Sequence, residues 1–185
     1  LSIGMKIPYG LSNFATVIKN NYIYIDKTAF IRTLEDTGQH QVLLRPRRFG
    51  KSLFLSMLQY YYDVNSAKDF NSLFGHLAIG QNPTPDQNQY QVLFLEFSGI
   101  ATDDHDGIYN SFNNKIGIAL SGFFDKYNYP ETVQQGLFQL TNASPADKMN
   151  YLLSWAKDQK LYLLIDEYDH FANSLMAEDL NHFRS

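Results

Sequence analysis

The residues best equipped for chemistry are Arg45-Pro46-Arg47-Arg48-Phe49-Gly50-Lys51-Ser52. They carry three of the chain's five arginines and end in Gly-Lys-Ser. A glycine there lets the main chain approach a ligand closely. The lysine reaches the outer phosphates of a nucleotide, and the next hydroxyl can bind Mg²⁺. Where such a segment joins a strand to a helix, backbone N–H groups and the helix N-terminus face the anion. The expected chemistry is phosphate binding by a Walker-A-like P-loop over residues 45–52. Arg45, Arg47, Arg48, Phe49, Gly50, Lys51, Ser52 and the following Leu53 form the expected nucleotide cradle. The full pattern has glycine at its first position, where this chain has Arg45. Gly-Lys-Ser alone also fits an ordinary strand–turn–helix with solvated arginines.

A second cluster changes the balance. Leu163-Leu164-Ile165-Asp166-Glu167 is an apolar run ending in two acids. In P-loop ATPases with an extra central strand, the aspartate of such a Walker B run supports Mg²⁺ and the next glutamate polarises the attacking water. An acidic turn after a strand explains the pair equally simply when it is taken alone. Two half-motifs in the right order, each at a strand end, coincide by chance far less often than either one. The expectation is an ATP site with Mg²⁺ between Ser52 and Asp166, Lys51 on the phosphates and Glu167 as catalytic base.

Those residues need a frame. Gln41–Leu44 reads as a buried strand before the loop, and Lys51–Tyr62 as the helix after it, with Leu53, Phe54, Met57, Leu58 and Tyr61 on one face. Ser12 is placed to cap a helix over about 13–19, and Tyr22–Ile25 reads as a short strand. Asp26 is placed to cap a helix carrying Phe30, Ile31 and Leu34, and Ser66 one reaching Phe74. Gln91–Phe97 reads as a strand whose polar exception is Glu96. A long helix carries Ile108, Phe112, Ile116, Leu120, Phe123 and Tyr127, although Gly107, Gly117 and Gly122 weaken its continuity. Pro130 opens another helix, and Ser144-Pro145-Ala146-Asp147 a further one carrying Met149, Leu152, Leu153 and Trp155. Leu161–Ile165 is a nearly all-apolar strand, followed by a helix over 171–183. Residues 80–89 and 98–107 read as surface loops. Strands apolar on both faces, alternating with helices, predict an α/β fold: a parallel sheet covered on both faces, with ligands at the strands' carboxyl ends.

Composition narrows the classes. The chain has 185 residues, 44% hydrophobic and 18% charged, as expected of a folded domain rather than a disordered one. It has no cysteine, which excludes disulfides, thiolate metal sites and a cysteine nucleophile. The net charge of −4 offers no global basic field for nucleic acid. No apolar run approaches the ~20 residues of a membrane span, and no signal peptide is visible, so the expected location is cytoplasmic, without a membrane partner. Residues 1–4 read as an appended remnant or an upstream extension before Met5, leaving residues 5–185 as one domain.

The chain resembles the AAA-ATPase-like family of predicted prokaryotic ATPases. The likeness lies in Ile7–Phe14, Tyr22–Thr28, the arginine-rich loop Leu44–Ser56, and Val92–Gly99. It implies a P-loop NTPase-like fold, and it implies that arginine at position 45 is the family's usual form. Longer members carry a domain resembling PD-(D/E)XK nucleases, for which this chain is too short. Related folds also place a later strand between the P-loop strand and the Asp-Glu strand. Only 18 residues follow Glu167, so the domain is expected to be partial and its hydrolysis by this chain alone is in question.

Other readings stay open. A non-hydrolysing module that binds nucleotide or a protein or nucleic-acid partner is one. The regulatory half of a nucleic-acid enzyme is another, and assembly with copies of itself is a third. Asp26-Lys27-Thr28 stands where related ATPases approach the adenine, though a helix cap by Asp26 is the simpler reading. Glu96 points into the site or pairs with a lysine. Asp103–Asp106 reads as a solvated loop rather than a cation site. The five scattered histidines suggest no zinc site.

Overall fold

The computed structural model describes residues 6–8, 10–38, 50–100 and 104–167. The strand expected at 41–44, the loop residues Arg45–Phe49 and the helix expected at 171–183 lie outside them. Among the described residues there are eight α-helices, one 3-10 helix and a two-stranded parallel sheet. The α/β class is therefore as expected. The chain divides into two compact units, residues 1–90 and 91–185.

The first unit is an aromatic helical cluster. Helix α1 (Phe14–Lys19) is capped by Asn13, not Ser12: the Asn13 side chain accepts the Thr16 N–H at 2.9 Å. Its Phe14 N–H, unpaired within the helix, donates to the Ser56 hydroxyl at 3.0 Å. The Phe14 ring stacks on Phe74 at 4.9 Å and meets Tyr24 edge-on at 5.3 Å. The strand expected at 22–25 is reduced to one bridge between Tyr22 and Lys6. Ile23 and Ile25 are exposed, so β-branched propensity found no neighbouring strand there among the described residues.

Helix α2 (Phe30–Asp36) starts from Ala29 without a side-chain cap, so Asp26 is not its cap. Helix α3 (Lys51–Tyr62) has the expected span. Its buried face is Leu55, Met57, Leu58, Tyr61 and Tyr62, whereas Leu53 and Phe54 are half-buried. The stripe is shifted because α3 packs on α1 and sends Tyr61 against Phe70 and Phe74. Ser66 caps nothing. Asp63 accepts the Asn65 N–H and opens a 3-10 turn (Val64–Asp69), from which α4 (Phe70–Phe74) and α5 (Ala78–Gln81) follow.

Residues 80–89 are no simple surface loop. Thr84 and Asn88 are buried. The Thr84 N–H donates to the Tyr61 hydroxyl at 2.8 Å, and Asn88 Nδ2 donates to the Asp63 carbonyl at 2.8 Å. Both Tyr62 and Thr84 donate hydroxyl protons to Glu35 Oε1, at 2.9 and 2.8 Å. Buried polar groups satisfied in this way fix the C-terminal end of α3.

The second unit is the sheet and its helical cover. Strand β1 (Gln91–Glu96) pairs in parallel with β2 (Leu161–Asp166), in a register that sets Gln91 beside Leu161 and Glu96 beside Asp166. Between them run α6 (His105–Lys126), α7 (Glu131–Gln139) and α8 (Pro145–Trp155). Parallel strands require such a crossover. Despite its glycines, α6 is continuous over 22 residues, because Ile108, Ile116, Leu120, Phe123 and Phe124 are buried with Leu93 and Leu95 of β1. The Ser144 cap of α8 is as expected and accepts the Asp147 N–H at 3.1 Å. On α8, however, Leu152 is buried while Leu153 and Trp155 are exposed.

On β2, Leu163 and Ile165 are 48% and 36% exposed, and the elements expected to complete the cover, residues 41–44 and 171–183, lie outside the described residues. Helix α6 packs over β1 and buries Leu93 and Leu95. Asp104 is the N-cap of α6 and accepts the Gly107 N–H, so the acidic run at 103–106 is in part a helix start.

Candidate functional site

The two expected half-sites fall in different units, and each is described within its own. In the first unit, Gly50 is the N-cap of α3 with φ 74° and ψ 21°. That is the left-handed region, which glycine enters without the cost of a Cβ. The residue turns the chain so that Lys51 begins the helix and Ser52 stands in its first turn. The first N–H groups of α3 have no partners within the helix and carry its positive dipole end. Lys51 is buried, with 9% of its surface exposed, and Ser52 and Leu53 are half-buried. Arg45, Arg47, Arg48 and Phe49 lie outside the described residues.

The segment before the loop is firmly held. Asp26 Oδ1 accepts the Thr28 N–H at 2.8 Å and the Thr28 hydroxyl at 2.6 Å. Its Oδ2 accepts the Ala78 N–H at 2.8 Å. Thr28 Oγ1, wholly buried, accepts the Ile79 N–H at 3.1 Å. Burial alone would raise the Asp26 pKa. The bonds from Thr28 and Ala78, with nearby His76, outweigh it and hold the carboxyl below its ordinary value. Asp26 thus ties residues 26–28 to the start of α5. Beside this knot, burial pushes the Tyr24 phenol up to about 12, against a hydrogen bond from the Lys27 backbone that lowers it.

One neighbour of the loop escaped the sequence reading. Among the described residues beyond its chain neighbours, a Cβ placed on Gly50 would meet the Lys27 ammonium at 3.9 Å. Asp26-Lys27-Thr28 had an adenine-side position and a helix cap as its two readings. The Asp-x-Thr spacing is itself a signal for a local hydrogen-bonded turn, which is what forms here.

In the second unit, Asp166 ends β2 and is 4% exposed. Its backbone carbonyl accepts the Phe97 N–H at 3.1 Å, and its Oδ1 accepts the Glu167 N–H at 2.9 Å. Glu167 has φ 59°, a left-handed conformation uncommon for a residue with a side chain. Such a backbone turns the chain sharply at the strand's carboxyl end, as observed at many functional sites. Glu96, beside Asp166 in the register, is exposed, and its Oε1 accepts the Ser98 N–H at 2.7 Å. It therefore closes its own turn, which neither sequence reading of Glu96 foresaw.

Among the described residues no three His, Cys, Asp or Glu side chains gather into a metal-binding group. Mg²⁺ on a nucleotide does not need one. It keeps several waters and takes one or two protein oxygens beside the phosphates. The Ser52 hydroxyl at a helix start and the buried Asp166 carboxylate are donors of that hard-oxygen kind.

The comparison with known proteins gives the family. A model of the predicted AAA-ATPase family matches residues 8–185, and the chain belongs to that family. It is also similar to an uncharacterized protein in the vnfD 5′ region of Azotobacter chroococcum mcd 1, at 27% identity over 172 residues. The match covers 89% of this chain and 29% of that protein, so the chain spans less than a third of its relative's length. No solved structure matches the chain. No helix among the described residues is long and apolar enough to cross a membrane.

Proposed function

We propose that the chain is an ATP-binding P-loop domain that works as an ATPase or a nucleotide-driven switch. The observation that carries this reading is the start of α3: Gly50 in the left-handed conformation, then Lys51 and Ser52 in the first helical turn. A glycine, lysine and serine at a helix start suit phosphate binding, and membership of the predicted AAA-ATPase family supports the reading.

Each residue then has a role. The Gly50 backbone and the first N–H groups of α3 receive the β-phosphate, and the Lys51 ammonium neutralises the β- and γ-phosphates. Arg45, Arg47 and Arg48 add positive charge, with at least one of them on a phosphate. Ser52 and Asp166 would hold Mg²⁺, which supplies charge neutralisation on the phosphates when bound. Glu167 accepts the proton of the attacking water. The carboxyl end of β2 suits both acids, since the Asp166 carboxylate holds the Glu167 N–H.

A ligand that binds only the folded chain stabilises it by RT ln(1 + [L]/Kd), about 2.7 kcal/mol at a hundredfold excess over Kd. Millimolar Mg·ATP should therefore raise the melting temperature of the chain by several degrees. No shift in a well-folded sample would contradict the reading.

A further inference from the structure

We propose that Lys27 is a second phosphate-binding cation of the loop, acting on the polyphosphate beside Lys51. The inference deepens the nucleotide-binding reading and rests on it. Its ground is the approach of the Lys27 ammonium to within 3.9 Å of the Cβ position of Gly50, the residue from which the helix N–H groups fan out. Apart from the glycine's own chain neighbours, Lys27 is the described residue that comes within 4 Å of that position.

Three features suit Lys27 to this task. Its backbone is pinned: the Lys27 carbonyl accepts the Phe30 N–H at 3.1 Å, and both flanking residues are bound to the start of α5. A cation on a fixed segment loses less freedom on binding than one on a loose loop. Its side chain is half-buried, so part of its stem is already ordered against the protein. Its neighbour Asp26 is already committed to Thr28 and Ala78, with both carboxylate oxygens accepting N–H or O–H bonds. That leaves Lys27 able to answer an anion arriving at Gly50 rather than the carboxylate next to it.

The chemistry follows from charge. A triphosphate carries three to four negative charges, and one lysine neutralises only one of them. A second ammonium at the glycine end of the loop spreads the compensation along the phosphate chain. Its contribution depends on the number of phosphates and not on the base. This separates it from an adenine-side role for residues 26–28, which would depend on the base alone.

The test is calorimetric titration of the 185-residue chain with Mg·ATP and with inorganic tripolyphosphate, for the unmodified protein and for Lys27→Met, Lys27→Arg and Lys51→Ala. A charge-assisted contact predicts about tenfold weaker binding of both ligands by Lys27→Met, ~1.4 kcal/mol. Lys27→Arg should recover most of the loss, and added salt should reduce the difference. Thermal melts without ligand check that the variants fold alike. Equal binding by Lys27→Met and the unmodified chain, with Lys51→Ala impaired, overturns the inference and leaves the P-loop reading intact. Loss for ATP but not for tripolyphosphate also overturns it, in favour of a base-side role. No binding of either ligand by the unmodified chain removes both.

Discussion

Substitution of Gly50 tests the loop without touching any charge. At φ 74° an L-residue pays for its Cβ, roughly 1–2 kcal/mol against the right-handed region. Among the described residues beyond its chain neighbours, the added Cβ meets Lys27 Nζ at an ordinary contact distance of 3.9 Å, so the backbone conformation sets the cost. The unfolded chain becomes stiffer when glycine is replaced, which returns about 0.4–1 kcal/mol. The net cost of Gly50→Ala is therefore about 1 kcal/mol. Asparagine tolerates the left-handed region and should cost less; valine, branched at Cβ, should cost more. The expected order of stability is glycine, then Gly50→Asn, then Gly50→Ala, then Gly50→Val, read from urea unfolding midpoints. Phosphate affinity should fall in the same order, because relief of the strain moves the first N–H groups of α3. If Gly50→Val were as stable as Gly50→Asn, within ~0.3 kcal/mol, the left-handed turn would not be what holds the start of α3.

Other predictions follow from the same reasoning. A Cβ on Gly136 would lie 2.2 Å from the Tyr151 hydroxyl, which donates to the Val133 carbonyl at 2.8 Å; Gly136→Ala should cost about 1–3 kcal/mol by urea unfolding, and clearly less in a Tyr151→Phe background. Burial raises the Tyr24 pKa from 10.0 to about 12, so its stabilising effect is complete below pH 10 and is lost as pH rises through 12; Tyr24→Phe should flatten the alkaline limb of stability against pH in that window. Asp26 shifts the other way, so its contribution is present above the ordinary carboxylate range and lost as acid titrates it; Asp26→Asn should flatten the acid limb. In any protein that carries this domain and turns over ATP, Glu167→Gln should keep nucleotide binding and lose ~100-fold or more in turnover; equal turnover would move the role of base elsewhere.

Much of this was legible because local signals agreed with packing. Gly50-Lys51-Ser52 at the start of an amphipathic run placed α3 correctly, and Ser144-Pro145 placed α8, since caps and proline act within one turn. The parallel pairing of Gln91–Glu96 with Leu161–Asp166 followed from apolar strands separated by helices. Long-range competition spoiled other readings. Asp26 had the right type for a cap, but the N–H groups of Ala78 and Thr28 took its oxygens. Residues 80–89 looked like a polar loop because their amides and prolines are polar by composition; Tyr61, Tyr60 and Asp63 supply buried partners that composition cannot reveal. Tyr22–Ile25 had strand propensity, and among the described residues one bridge, Tyr22 with Lys6, answers it. The approach of Lys27 to Gly50 joins residues 23 positions apart, and no local pattern announces it.

The central claim is that the Gly50–Ser52 loop binds nucleotide phosphates through Lys51, and equilibrium titration of Mg·ATP into the unmodified chain and Lys51→Ala tests it most directly. A lysine making charge-assisted bonds to phosphate contributes about 1.5–3 kcal/mol. The unmodified chain should therefore bind Mg·ATP with one-to-one stoichiometry, and Lys51→Ala, equally folded by circular dichroism, should bind about tenfold to hundredfold more weakly. Binding that is absent from the folded chain, or unchanged by Lys51→Ala, would contradict the account.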